Sequence, residues 1–199
     1  MKIIGLTGYA QTGKDTVGAM LVERGWHRIG FADNVRALAL AADPLVRTLW
    51  RRPDGGLNER TERLSVVVAR VGWEDAKRNA DVRRFLQDLG SGVRDVLGET
   101  TWIDAAMQKI DVYSGGHPEP AGVVITDVRH ENEAAAVRAR GGIIARVTRP
   151  GVGPANDHVT EVGVDAIAYD GWITNDGTLV DLEREVEELL EDVAAGWSA

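Results

Sequence analysis

The sequence predicts an α/β protein, a doubly wound parallel sheet of about five strands with helices packed on it. Three observations carry that expectation. Apolar runs at residues 2–7, 121–127 and 143–148 are short and nearly continuous, as strands buried on both faces require. Segments with helical spacing of apolar residues separate them. The first of these runs leads through a glycine-rich turn straight into a helix, so one strand–turn–helix unit is legible within the first 22 residues.

That unit reads Gly8-Tyr9-Ala10-Gln11-Thr12-Gly13-Lys14-Asp15-Thr16 between a strand at 2–7 and a buried helix from 17. Gly8, four residues, Gly13 and Lys14 have the spacing of a P-loop, which makes the expected fold that of the P-loop NTPases. Glycines let successive N–H groups of the loop, Gln11 and Thr12 included, converge on a phosphate. The helix N-terminus adds partial positive charge, and Lys14 can reach the β/γ-phosphates of ATP. Where Ser or Thr normally offers a hydroxyl to Mg²⁺, this chain has Asp15, followed by Thr16. The Asp15 carboxylate can bind the metal directly or through water, or it can simply cap the helix, worth about 1 kcal/mol.

Beyond Gly25, residues 27–31 read as a second strand, and Asp33 is placed to cap a helix bearing Val35, Leu38, Ala39 and Ala42 that Pro44 stops, with Arg36 near its start. Residues 51–60 read as a polar, turn-rich loop. Helical spacing resumes at Leu64, Val67, Val68 and Val71, and again at Val82, Phe85, Leu86 and Leu89. The region from about 45 to 110 is therefore expected to be mostly helical, a candidate substrate-binding insert within a single domain covering 1–199. The strand at 121–127 ends in Asp127, a helix follows over 131–140, and Gly141-Gly142 precede the strand at 143–148. Residues 149–164, with Arg149, Pro150, Asn156, Asp157, His158 and Glu161, read as a mobile loop. Residues 166–173 form the last expected strand, 175–177 a turn, and 179–193 an acidic amphipathic helix.

At 199 residues one α/β domain is accommodated. A net charge of −8 disfavours nucleic acid as the main partner while leaving room for a small phosphate ester in a local arginine pocket. Without cysteine there are no disulfides or thiolate metal sites. No signal peptide or membrane-spanning run is visible, so a cytoplasmic protein is expected, with a homodimer left open.

Several polar positions bear on chemistry. Asp127, at the carboxyl end of its strand, stands where a Walker B carboxylate holds Mg²⁺-bound water, or is a strand-terminal turn residue. Arg129 follows it, and Arg146 and Arg149 lie on or beyond the next strand; phosphoryl transfer needs such cations on the migrating group. Arg83 and Gln87 lie one helical turn apart, where one can grip an acceptor phosphate and the other read a base edge, although a solvated helix face has the same pattern.

The segments Gly13-Lys14-Asp15-Thr16, Arg83-Arg84-Phe85-Leu86-Gln87 through Gly90, Thr126-Asp127-Val128-Arg129, Arg149-Pro150, Asp157-His158 through Glu161, and Thr174-Asn175-Asp176-Gly177 resemble the deoxynucleoside monophosphate kinases of tailed phages, in order and over nearly the whole chain. The resemblance implies a nucleoside monophosphate kinase-like fold and ATP-dependent, Mg²⁺-assisted phosphorylation of a deoxynucleoside monophosphate. It implies a donor site at Gly8, Gln11, Thr12, Gly13, Lys14, Asp15, Thr16 and Asn175, and metal at Asp15 and Asp127. Acceptor contacts fall on Arg36, Arg83, Gln87, Asp127 and Arg129, with Lys14, Asp15 and Arg129 catalytic and Arg149, His158 and Glu161 in a lid. Arg83 with Gln87 is also similar to the Arg-x-x-x-Gln that holds the acceptor in adenylate kinases. Which of Arg129, Arg138 and Arg146 completes the transfer site stays open. Animal-type phosphomevalonate kinases share Gly-Lys-Asp, an Asp-x-Arg after an apolar strand and a late Asn-x-Gly, so a phosphomevalonate kinase-like activity is the alternative, with a nucleotide-binding regulatory module as a third reading.

Overall fold

A computed structural model describes residues 1–51, 54–114, 120–153 and 159–196. The chain divides into two compact units, Met1–Phe31 with Ile103–Ala199, and Ala32–Trp102.

The first unit is built on a five-stranded sheet in the order β2-β5-β1-β6-β7, every pair parallel. These are β1 (Lys2–Thr7), β2 (His27–Ile29), β5 (Gly122–Ile125), β6 (Ile143–Thr148) and β7 (Gly171–Thr174). The number of strands and the parallel sense agree with the sequence reading. β1 is central because both its faces are apolar. Ile4 and Leu6 pack with Val17, Leu21, Val124, Val147, Leu182 and Val186 on one side, and Ile3 packs with Ile125, Val128, Val137 and Ile144 on the other. The helices covering these faces are α1 (Lys14–Glu23), α6 (Glu131–Arg138), α8 (Leu179–Ala194) and most of α5 (Thr101–Ser114), and α7 (Val159–Ala166) belongs to the same unit. α8 starts at a capping box in which Thr178 accepts from the Asp181 amide and Asp181 accepts from the Thr178 amide.

Two boundaries of this unit differ from expectation. β2 stops at Ile29, and Phe31 already opens α2 (Phe31–Ala42), because Asp127 Oδ1 accepts the Phe31 N–H at 2.8 Å. Asp33 therefore sits in the first turn of α2 and does not cap it. The last strand is shorter than residues 166–173. Ala166 ends α7, whose fully buried Val164 lies three residues before the equally buried Ile167, a helical and not an alternating spacing.

The second unit holds the larger correction. β3 (Leu45–Arg51) and β4 (Leu57–Arg63) form an antiparallel hairpin with Leu45 opposite Arg63 and Arg51 opposite Leu57, where a helical region with a loop at 51–60 was expected. Asp54 Oδ1 accepts the Gly56 N–H at 2.9 Å and Gly55 has φ +84°, which makes the turn. α3 (Leu64–Ala76), broken at Gly72 where φ is +73°, and α4 (Ala80–Leu97), capped by Asn79, follow as expected. Ala39, Val46, Leu64, Val67, Ala76 and Val82 are this unit's core. No described helix is long and apolar enough to cross a membrane.

Candidate active site

The order of strands reverses at β1, and in such sheets ligands lie beyond the carboxyl ends of the strands at that point. The phosphate loop grows from there. Gly8 has φ +139°, and a Cβ on it would stand 2.3 Å from the Val147 carbonyl oxygen; Gly13 has φ +105°, and a Cβ there would meet the Asn175 amide at 2.5 Å. Only glycine satisfies both the backbone and the space at these two positions. Between them Gln11 takes the left-handed conformation, φ +67°. Thr12, fully buried, donates to the Tyr9 carbonyl at 3.0 Å.

Lys14 is 8% exposed, and its ammonium is folded back into the loop, donating to the carbonyls of Gly8 at 2.7 Å and Tyr9 at 2.5 Å. A buried cation held by loop carbonyls is ready to exchange one of them for a phosphate oxygen. Gly13 is the N-cap of α1 and brings no side-chain acceptor. Asp15 is exposed in the first turn with Thr16 half-buried beside it. Asn175, just past β7, donates through Nδ2 to the Thr12 carbonyl at 3.0 Å and through its backbone to Thr148 at 2.8 Å. The expected donor residues Gly8, Gln11, Thr12, Gly13, Lys14, Asp15, Thr16 and Asn175 are thus one structure.

At the end of β5, Asp127 anchors the start of α2 through Phe31. The next residues are held from below. Glu133 Oε2 accepts the N–H groups of Arg129 at 2.7 Å and His130 at 3.1 Å. Burial, with Asp127 adding negative charge nearby, pushes the Glu133 carboxyl up to about 7 despite those amides and the Arg129 cation. Gly163 of α7 lies against this segment, where a Cβ on it would stand 3.1 Å from the Arg129 carbonyl oxygen.

The arginines separate clearly. Arg138 pairs with Glu131 and Asp170, both at 3.6 Å, and lines an open cavity of about 930 Å³ with Met1, Lys2 and Ile143. Those residues mark the amino ends of the strands, so Arg138 is excluded from a site at their carboxyl ends. Arg146 makes an ion pair with Asp165 at 2.5 Å and lies 5.7 Å from the ring centres of both Tyr9 and Tyr169. Tyr9 also donates its hydroxyl to Asp165. That bond lifts the phenol above its usual range and, with Arg146, holds the Asp165 carboxyl below its own. Sequence reasoning singled out neither Tyr9 nor Asp165, since 156 residues separate them. Arg149 is exposed in the turn after β6. His158 lies outside the described residues, as does the side chain of Glu161, whose backbone belongs to α7.

Within the second unit, Arg36 lies near Asp33 and Glu74, at 3.8 and 3.9 Å, with its guanidinium 6.0 Å from the Trp73 ring centre. Arg83 and Gln87 are exposed one turn apart on α4, Arg83 donating to the Lys77 carbonyl at 3.3 Å. Phe85 is not beside them but packs on this unit's core, on the other side of the helix. Among the described residues no group of three or more His, Cys, Asp or Glu side chains stands ready to hold a metal ion. A magnesium ion that keeps its waters and shares the phosphates of its nucleotide needs only one or two carboxylates, and exposed Asp15 can offer one, with the Thr16 hydroxyl beside it.

A family described as deoxynucleotide monophosphate kinase matches residues 59–186. The deoxynucleotide monophosphate kinase of Enterobacteria phage T4 is 30% identical over 112 residues, 55% of this chain and 45% of the phage protein. The chain thus matches about half the length of that curated relative. A protein of Acanthamoeba polyphaga mimivirus is 26% identical over 213 residues, covering 98% of each chain. The dephospho-CoA kinase from Campylobacter jejuni superposes with a TM-score of 0.50 at 12% identity, over 98% of this chain and 99% of that one, a likeness of fold alone.

Proposed function

The chain belongs to the deoxynucleotide monophosphate kinase family, and from that premise we propose that it transfers the γ-phosphoryl group of ATP to a deoxynucleoside monophosphate. The observation that carries this reading is the Lys14 ammonium held inside a glycine loop at the carboxyl end of the central strand. Phosphates entering the loop replace carbonyls as its partners, and the amides from Gly8 to Thr16 complete the cradle. An oxygen of the acceptor phosphate forms a bond to Pγ as the bond from Pγ to the β,γ-bridging oxygen breaks, leaving ADP and a deoxynucleoside diphosphate. Little covalent chemistry falls to the protein, so positioning and charge carry the rate.

Arg129, its backbone fixed by Glu133, supplies positive charge to the transferring group. Mg²⁺, which Asp15 would hold with Asp127 and water, offsets charge on the phosphates when bound. Asn175 keeps the loop in shape from the β7 side. Arg36, Arg83 and Gln87 serve the acceptor, Arg83 on its phosphate and Gln87 on its base, and Arg149, His158 and Glu161 belong to a lid that limits hydrolysis. Such an enzyme works in the cytoplasm, where ATP is at hand.

The test is a coupled assay of ADP formation with the four common deoxynucleoside monophosphates beside mevalonate phosphate, using Lys14→Ala as control. Nucleotide-stimulated turnover in the wild type and a loss of orders of magnitude in the variant are expected. Turnover with mevalonate phosphate and none with any nucleotide would overturn the reading, and nucleotide binding without ADP formation would make the protein a regulatory module.

A further inference from the structure

We propose that Asp165 is a positioning residue for the donor site, holding the crest of the phosphate loop in its phosphate-accepting shape through the Tyr9 hydroxyl. The proposal rests on the donor-site reading above. Tyr9 has two jobs at opposite ends. Its backbone carbonyl points into the loop and accepts from Lys14 Nζ and from Thr12 Oγ1. Its side chain leaves the loop and ends on the Asp165 carboxylate, which also takes Arg146, while the Arg146 guanidinium lies over the Tyr9 ring. Whatever fixes that side chain therefore fixes the carbonyl that orients Lys14.

The Asp165 side chain is 55% exposed, but the backbone that carries it is held by buried neighbours. Asp165 sits between Val164, 1% exposed, and Ile167, 2% exposed, and Ile167 belongs to the core that includes Ile144. Arg146 is on β6, in register with Thr7, the residue that leads into the loop. A loop that carries a left-handed non-glycine residue at Gln11 has a backbone conformation that its own sequence does not favour, so an outside tether has something to hold. The link from Asp165 to the loop is the Tyr9 hydroxyl, so it acts through Tyr9.

The experiment measures Mg·ATP binding by calorimetry, KM for ATP, kcat and melting temperature for the full chain and for Tyr9→Phe, Asp165→Ala, Asp165→Asn and the Tyr9→Phe/Asp165→Ala double variant. Loss of the tether should weaken Mg·ATP binding and raise KM for ATP about tenfold, the worth of one hydrogen bond to a charged group. In these variants kcat should change much less. Asp165→Asn, which still accepts from the Tyr9 hydroxyl, should recover most of the loss. The double variant should be no worse than the worse single one, because both remove the same link. A structural role alone would lower the melting temperature without moving KM. Additive losses, affinities within twofold of wild type, or tighter binding by Asp165→Ala would each overturn the tether, the last meaning that Asp165 withholds Arg146 from the nucleotide. A wild-type protein that binds no Mg·ATP would overturn the donor-site reading, and the tether with it.

Discussion

Asp15 is the second residue of α1, and the N-cap is Gly13, so the two roles open to this carboxylate in the sequence are no longer equal. A capping aspartate would accept from the helix amides; here no side chain does so. What remains of the structural role is attraction to the helix N-terminus, about 0.3–1 kcal/mol at an exposed site. Asp15→Asn should then barely change the melting temperature while raising the Mg²⁺ concentration needed for half-maximal rate, and an unchanged magnesium titration would remove Asp15 from the metal. Glu133 makes a second prediction at this scale. Its folded-state value, about 7, lies above that of the unfolded chain, so between about 4.5 and 7 the unfolded state ionises while the folded state stays protonated. Stability must fall as pH rises through that window and level off above it, by at most about 3 kcal/mol. Glu133→Gln keeps an oxygen for the Arg129 and His130 amides and should lose this slope; parallel urea midpoints for variant and wild type at pH 5 and pH 8 would contradict it. Gly8, Gly13 and Lys14 were legible because their chemistry is written in one short stretch. Glu133 was not, because an acidic residue on a helix looks solvated until the chain folds something over it, and Asp165 was not, because its partner Tyr9 is 156 residues away in the chain.

The hairpin of β3 and β4 shows the same limit for elements. Leu45 to Leu49 alternate in burial, with Val46 and Thr48 inward and Leu45 and Leu49 outward at 61% and 68% exposure. The opposing strand is Glu59-Arg60-Thr61-Glu62-Arg63, whose polarity reads as a loop. The inward position on that strand is a carboxylate. Glu62, 6% exposed, accepts from both terminal nitrogens of Arg70 at 2.8 Å and from Thr48 at 2.9 Å, so a charged network stands where an apolar side chain would have betrayed the strand. The Arg70 guanidinium, with Thr48 and Arg60, brings the Glu62 carboxyl down to about 2 in spite of its burial. A depressed carboxylate contributes stability that is fully present above its unfolded value, near 4.5, and is lost as pH falls through about 2. Glu62→Gln should therefore melt well below wild type at pH 7, with the gap closing as pH is lowered toward 2. A gap of equal size at both ends would mean that geometry, and not charge, holds the hairpin.

At the scale of the molecule, the parallel sheet and its helices followed from hydrophobic pattern, since strands buried on both faces cannot hide their apolar content. The Ala32–Trp102 unit was legible only in its helices, and the acceptor residues assigned to it rest on the Arg-x-x-x-Gln spacing. The structure leaves Arg83 and Gln87 exposed on one face of α4 and turns Phe85 into the core, so under the function proposed above Phe85 offers no wall for a base beside them. Recognition by hydrogen bonds then has to do more of the discrimination. An arginine on the phosphate serves every monophosphate alike, whereas an amide that both donates and accepts pairs differently with each base edge. Arg83→Ala should accordingly raise KM for all four deoxynucleoside monophosphates by similar factors and leave KM for ATP unchanged. Gln87→Ala should reorder them, changing relative kcat/KM by roughly 1–3 kcal/mol, the cost of leaving a buried polar group unpaired. Measuring kcat/KM for the four acceptors in both variants separates the two roles. If Gln87→Ala scales all four equally, the glutamine supports the helix and the base is read elsewhere.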